Sequence, residues 1–346
     1  MLVARFYAPG DIRLEQAPEP TAGPGQLKIA VVNCSTCGTD VKISRHGHHH
    51  IRPPRVIGHE IAGRIVEVGE GVTGWAEGDR VQVIAAIPCG TCVECSDGRF
   101  TVCSRQESMG YHYDGGFAEY MIIPESVLAV DGVNRVPDNI DLAEASVAEP
   151  LACVLNGQEI AGVGEGDTVV VMGAGPIGCL HVRLARARGA AKVYLVDLNR
   201  GRLDMSADIV QPDASICGAE TDAVEEVLRL TDGRGADVVI TAAASGRAQE
   251  DALRMVSRSG RISFFGGLPK DAPIIQLDSN AVHYREISIF GANGSSPEHN
   301  RRALELISSG AVPVADLITE RMSLSDVHKA IETVASGTAI KVTIQP

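Results

Sequence analysis

Cys37-Gly38-Thr39-Asp40 and Gly58-His59-Glu60 bracket a basic, histidine-rich run and bring a thiolate, an imidazole and carboxylates into one short stretch of chain. These are the groups that Zn²⁺ takes. Three protein ligands would leave a fourth position for water or a substrate oxygen. Cys37 and His59, completed by Glu60 or by the more distant Glu149 of Ala148-Glu149-Pro150-Leu151, therefore read as a catalytic zinc site. Spacing alone leaves open which glutamate is the direct ligand. Asp40 is the candidate to hold His59 by its far ring nitrogen.

Cys89-x2-Cys92-x2-Cys95-x7-Cys103 supplies four thiols in one small lobe. Four thiolates close a tetrahedral Zn²⁺ with no open position, so this second site reads as structural. The competing reading is two local disulfides, which a reducing cytosol disfavours. Cys34 stands at redox-motif spacing from Cys37, but no redox βαβ unit surrounds it. Cys153, Cys179 and Cys217 read as small buried apolar residues.

A third constellation is Gly173-Ala174-Gly175-Pro176-Ile177-Gly178, which follows the apolar run Val169 to Met172 and opens a helix. Gly173 permits the tight turn, Gly175 lets the backbone approach a pyrophosphate, and Gly178 lets helix and strand pack closely. Asp197 closes the next strand, where a carboxylate would accept from ribose hydroxyls and repel a 2′-phosphate. NAD is favoured over NADP, a preference that Arg200 and Arg202 soften.

Between Asp40 and Glu60 there is no acid, although the chain carries a net charge of −13. Lys42, Arg45, Arg52 and Arg55 in this gap form a candidate site for an anionic substrate, since Arg and Lys are the usual phosphate partners. His46, His48, His49 and His50 add an accidental metal site as a further reading. The plain alternative is a solvated basic loop or a subunit contact.

Positioning these groups calls for two kinds of element. The first ~150 residues read as short strands, Leu27 to Val32, Ile61 to Val68, Arg80 to Ala85 and Phe117 to Ile123, followed by a helix from Glu144 to Ile160. From Thr168, strands at Val169 to Met172, Lys192 to Asp197, Ala236 to Thr241, Gly260 to Phe265 and Ile287 to Phe290 alternate with helices, as in parallel βαβ units. Helices at Pro297 to Ser308 and Ser323 to Ala335 precede a last strand, Lys341 to Ile344. With 346 residues, 45% of them hydrophobic, the chain is large enough for about two domains. Its acidity argues against nucleic acid as a partner, and no apolar run suits a membrane span. A cytoplasmic protein is expected.

Taken together, these features resemble the zinc-dependent medium-chain dehydrogenase/reductase family over nearly the whole chain. The family's zinc signature G-H-E-x2-G-x5-G-x2-V is matched by Gly58, His59, Glu60, Gly63, Gly69 and Val72, with the cysteine lobe and the dinucleotide fingerprint following in order. Glu149-Pro150 is similar to the polyol (sorbitol or L-iditol) dehydrogenase branch. Threonine dehydrogenases share Cys-Gly-Thr-Asp and the lobe. The resemblance implies an α/β protein: a GroES-like, β-rich catalytic domain from residues 1–156 and 292–346, and a Rossmann doubly wound parallel-sheet NAD domain inserted at 157–291. It further implies two Zn²⁺ per subunit and a cytosolic homo-oligomer, a tetramer or a dimer.

By the same resemblance, Thr39 would take the hydroxyl proton of an alcohol substrate. Asp197 and Arg202 would hold the adenosine ribose, and Gly266, Gly267 and Gly291 would line the nicotinamide half. The implied reaction is hydride transfer between NAD and a secondary alcohol/ketone pair: a polyol, sugar alcohol or polyol phosphate. An L-threonine 3-dehydrogenase-like amino-alcohol dehydrogenase is the second reading, and a cofactor-binding structural or regulatory protein on the same scaffold is the non-enzymatic one. Two positions depart from the polyol pattern. Lys42 stands where a proton-relaying His is usual, and Ala292-Asn293-Gly294-Ser295 replaces an Arg-Tyr pair.

Overall fold

The computed structural model describes residues 1–346, which divide into two compact units. One comprises Met1–Ala152 with Gly294–Pro346, the other Cys153–Asn293. No helix is long and apolar enough to cross a membrane.

The first unit is built on a seven-stranded sheet whose centre is the strand Leu27–Ser35, paired antiparallel with Glu60–Val68, with Tyr120–Ile123 and with the C-terminal strand Lys341–Gln345. The C-terminal strand thus lies in the sheet of the N-terminal half. Its Val342 and Ile344 join Leu27, Ile29, Ile61, Ile65, Val81 and Val83 in one apolar core, all fully or almost fully buried. A hairpin of Leu2–Ala8 and Asp11–Gln16 forms a separate sheet with Arg55–Val56. Side chains alternate across strands, so the apolar half of each buries and the other half meets the opposite face.

The second unit is a six-stranded sheet in which every adjacent pair is parallel. From one edge to the other its strands are Ala214–Cys217, Lys192–Asp197, Thr168–Met172, Ala236–Thr241, Val256–Phe264 and Ser288–Gly291. Chain order therefore reverses between Lys192–Asp197 and Ala236–Thr241, on either side of Thr168–Met172, and this switch point is where doubly wound sheets bind ligands. The central strands are continuous runs of buried Val, Ile and Leu because helices cover both faces.

Several local details differ from the expectation. The helix expected from Glu144 to Ile160 is two helices, Leu142–Ser146, capped by Asp141, and Ala148–Ile160, broken at Val147. Ser323 to Ala335 starts as a 3₁₀ turn, Leu324–Asp326, before the helix Val327–Ser336. Phe117 lies outside the strand Tyr120–Ile123, its amide donating to the Ile57 carbonyl at 3.0 Å. The helix Gly38–His46 and the strand Ala214–Cys217 carry no clear periodic signal and were not expected.

Candidate active site and cofactor site

Cys37 stands at the junction between the central strand and the helix Gly38–His46, and Glu60 opens the neighbouring antiparallel strand. This pairing brings Cys37, His59 and Glu60 together, with their ligand atoms all within 4.8 Å of one another. Their setting is dry: His59 and Glu149 are 7% exposed and Glu60 and Asp40 fully buried. Gly58 precedes the cluster at φ +90°, and a Cβ there would lie 2.6 Å from the Phe117 ring, so only glycine fits the approach.

Electrostatics make the cluster costly unless something joins it. Burial pushes the Glu60 carboxyl up to about 7, Lys341 opposing and the nearby Glu149 adding to the rise. His59 sits well above its ordinary value because the side chains of Cys37 and Asp40 outweigh the effect of burial. Glu60 forms an ion pair with Lys341, whose ammonium also donates to the Thr36 carbonyl at 2.8 Å. Even so, neither Glu60 oxygen has a well-angled hydrogen bond, and His59 Nδ1 and Asp40 Oδ1 are likewise buried without partners. Unsatisfied buried polar atoms cost free energy, and a cation among thiolate, imidazole and carboxylate would engage the Glu60 oxygens. The donors fit Zn²⁺.

Asp40 Oδ2 accepts from the Cys37 amide at 2.8 Å, while its Oδ1 faces His59 Nδ1 at 3.7 Å, beyond hydrogen-bond length. Glu149 lies close enough for its charge to act on both His59 and Glu60. The Tyr111 ring centroid is 6.0 Å from that of His59, and burial holds the Tyr111 hydroxyl well above its ordinary value.

Cys89, Cys92, Cys95 and Cys103 form the second cluster, again within 4.8 Å. All nine cysteines are free thiols, so the local disulfides are not formed. The Cys89 amide donates to Cys103 Sγ at 3.2 Å, and the Thr91 amide pulls the Cys89 thiol down to about 5. At Cys89 this favours the thiolate that zinc requires, whereas burial pushes the Cys95 thiol up to about 12.

In the parallel-sheet unit, Gly173 has φ +117° and Gly175 caps the helix Pro176–Ala187 with Pro176 at its first position. A Cβ on Gly178 would lie 1.8 Å from the Gly173 carbonyl oxygen, whereas Gly175 has open space where a phosphate would approach. Asp197 Oδ2 accepts from the Ala174 amide at 2.7 Å and Oδ1 from the Asn199 amide at 2.8 Å, so the carboxylate also orders the loop beside it. Asp197, Asn199, Arg202 and Arg247 line a cavity of about 630 Å³ that also borders Gly173. Gly266 lies against the Ala243 backbone, while Gly267 and Gly291 have open space around their Cα atoms.

Comparison with known proteins agrees with both halves. Residues 23–132 match the alcohol dehydrogenase GroES-like domain, and residues 176–309 match the zinc-binding dehydrogenase domain. The chain belongs to the zinc-binding alcohol dehydrogenase family. Sorbitol dehydrogenase of Halalkalibacterium halodurans is 33% identical over 100% of this chain and 98% of its own. L-threonine 3-dehydrogenase of Pyrococcus furiosus is also 33% identical, over 95% and 93%. A Sinorhizobium meliloti structure described as a zinc-binding dehydrogenase bound to NADP superposes with a TM-score of 0.93, at 31% identity, covering 100% of this chain and 99% of that one.

In this dehydrogenase the basic run divides. Lys42 and Arg45 are exposed on the helix Gly38–His46, whereas Arg52 and Arg55 line a second cavity together with His49 and His50. The run gathers no three-donor metal cluster. Two contributors escaped the sequence reading. Lys341 comes from the last strand and Tyr111 from a loop, and neither lies in a motif with metal or proton chemistry.

Proposed function

We propose that this chain is a zinc-dependent oxidoreductase that moves a hydride between NAD and a secondary alcohol/ketone pair, with a polyol or sugar alcohol as the alcohol. The observation that carries this reading is the buried Cys37–His59–Glu60 cluster, read together with the sorbitol dehydrogenase relative. Zinc held by Cys37, His59 and a glutamate would supply a Lewis acid that polarises the substrate oxygen, and NAD would supply the hydride acceptor.

The chain's own residues do the rest. Glu60 completes the donor set, with Lys341 balancing its charge and Glu149 as the adjacent carboxylate. Thr39 takes the hydroxyl proton in this reading, and Tyr111, kept protonated by burial, stands beside His59. Asp40 fixes the Cys37 backbone and faces His59. Gly173, Gly175, Pro176, Ile177 and Gly178 present the helix N-terminus to the pyrophosphate, and Asp197 and Arg202 face the adenosine ribose. Gly267 and Gly291 leave room for the nicotinamide half, which Gly266 borders from its place against the Ala243 backbone. Cys89, Cys92, Cys95 and Cys103 hold the structural zinc.

Zinc-loaded protein should reduce NAD in the presence of a polyol, with a higher kcat/KM for NAD than for NADP. Equal use of NADP would remove the selective role of Asp197, and inertness towards every alcohol would remove the enzymatic reading. The equally similar Pyrococcus relative supports a second reading as an L-threonine-type amino-alcohol dehydrogenase, so L-threonine belongs in the same assay. The same proposal has the protein working in the cytoplasm as a homo-oligomer, tetramer before dimer, which light scattering tests.

A further inference from the structure

The cavity lined by the basic run is about 550 Å³ in volume and lies within the same unit as the catalytic cluster. Arg52, Arg55, His49, His50 and His112 form most of its wall. The imidazoles crowd one another, with ring centroids 4.1 Å apart for His49 and His50 and 5.0 Å apart for His50 and His112. Two guanidiniums, Arg52 and Arg55, are brought together here in a chain of net charge −13.

The local balance is electropositive. Glu107 is the one acid in the wall, and its carboxylate accepts from the Tyr113 hydroxyl at 2.6 Å. Arg55 donates to the exposed Asp114 at 3.0 Å, yet its Nε is buried without a partner. Burial, and then the positive field of His50, holds His112 below its ordinary value, Glu107 opposing and Arg55 and Arg52 adding to the fall. Two guanidiniums flanked by imidazoles suit an anion.

The cavity also touches the chemistry. Tyr111 is part of its wall, packs edge-on against the His48 ring at 4.9 Å and lies 6.0 Å from the His59 ring. One tyrosine therefore stands between the basic cavity and the metal cluster.

We infer that the alcohol substrate carries an anionic group, a phosphate monoester or a carboxylate, and that Arg52, Arg55, His49, His50 and His112 seat this group while the reacting hydroxyl lies beyond Tyr111. The guanidinium fork matches two oxygens of either anion, and imidazoles beside an anion take up protons and add charge. This rests on the proposed dehydrogenase function and specifies its substrate class.

The test uses the full zinc-loaded chain with NAD and three matched substrates: a neutral polyol, its terminal phosphate monoester and its terminal carboxylate. One anionic form should exceed the neutral polyol in kcat/KM by about tenfold or more, as expected when a charged hydrogen-bonding group is engaged. The two anionic arms distinguish phosphate from carboxylate. In Arg52→Ala and His50→Ala that preference should shrink by about tenfold, chiefly through KM, with Arg52→Lys retaining more of it than Arg52→Ala. A wild type without anionic preference, or variants that lose equally on neutral and anionic alcohols, would overturn the inference and leave the dehydrogenase reading intact. Failure to reduce NAD with any of the three overturns both.

Discussion

Cys37 carries the most at the scale of single residues, because it is the soft ligand of the open cluster and sits at the start of a helix. Replacing it by Ser removes the thiolate but leaves the lobe thiols untouched. Cys37→Ser should lower kcat/KM for the alcohol by about 10³ or more, since Lewis-acid assistance is worth several kcal/mol. Elemental analysis should show one zinc fewer per chain, with the other retained. The zinc donors were legible because thiolate, imidazole and carboxylate stood in one short stretch. Lys341 was not, because its partner Glu60 is met only when the last strand enters the N-terminal sheet.

His181 went unnoticed for a different reason: it is a lone histidine inside an apolar helix. It is fully buried against Phe265, with ring centroids 4.7 Å apart, and burial pushes it down to about 3. The unfolded chain binds a proton at His181 below its ordinary value near 6.5, and the folded chain does not. Stability from this group is therefore present above pH 6.5 and is lost as pH falls towards 3, by about 1.4 kcal/mol per pH unit. The stability difference between wild type and His181→Gln, measured by urea unfolding at stepped pH, should fall along that slope. A difference independent of pH would show that His181 is not buried neutral.

Elements were readable where a physical requirement narrows the residue choice. Gly178 illustrates this, since its missing Cβ is what lets the helix Pro176–Ala187 close onto the Gly173 turn. Gly178→Ala must push that helix away from the backbone carbonyl it faces, an overpacking cost of about 1–3 kcal/mol. NADH affinity, followed by nucleotide fluorescence, should weaken by about tenfold or more because the amides that face the pyrophosphate move with the helix. Far-ultraviolet circular dichroism checks that the variant is folded. An unchanged affinity would separate the fingerprint from cofactor binding. By contrast, the helix Gly38–His46 is polar with only Val41 and Ile43 as buried apolar residues, so its periodicity was too weak to read. The break at Val147 follows from Pro150, which has no N–H to give the Ser146 carbonyl and so fits only the first turn of a new helix.

For the whole molecule, the division of labour follows the division of the chain. Every proposed zinc donor, including Glu149, falls in the unit Met1–Ala152 with Gly294–Pro346, and every proposed dinucleotide contact falls in Cys153–Asn293. The two-unit architecture was legible from a change of texture at Thr168. That the C-terminal tail returns to the first unit followed from the family resemblance alone, since its strand shows alternation but nothing that names its partner strand. A ligand stabilises the folded state it binds by an amount set by its concentration relative to Kd, about 2.7 kcal/mol at a hundredfold excess, and the effect appears as slower local opening around its contacts. Hydrogen–deuterium exchange on the full chain should accordingly show NADH slowing amides around Met172–Gly178, Val196–Arg202 and Gly266. Chelation should speed exchange around Cys37–Asp40, His59–Glu60 and the lobe Cys89–Cys103, leaving the strand Thr168–Met172 at its original rate. Equal acceleration of that central strand on chelation would mean that zinc supports the nucleotide unit as well, and that binding roles and stability are not divided along the same boundary.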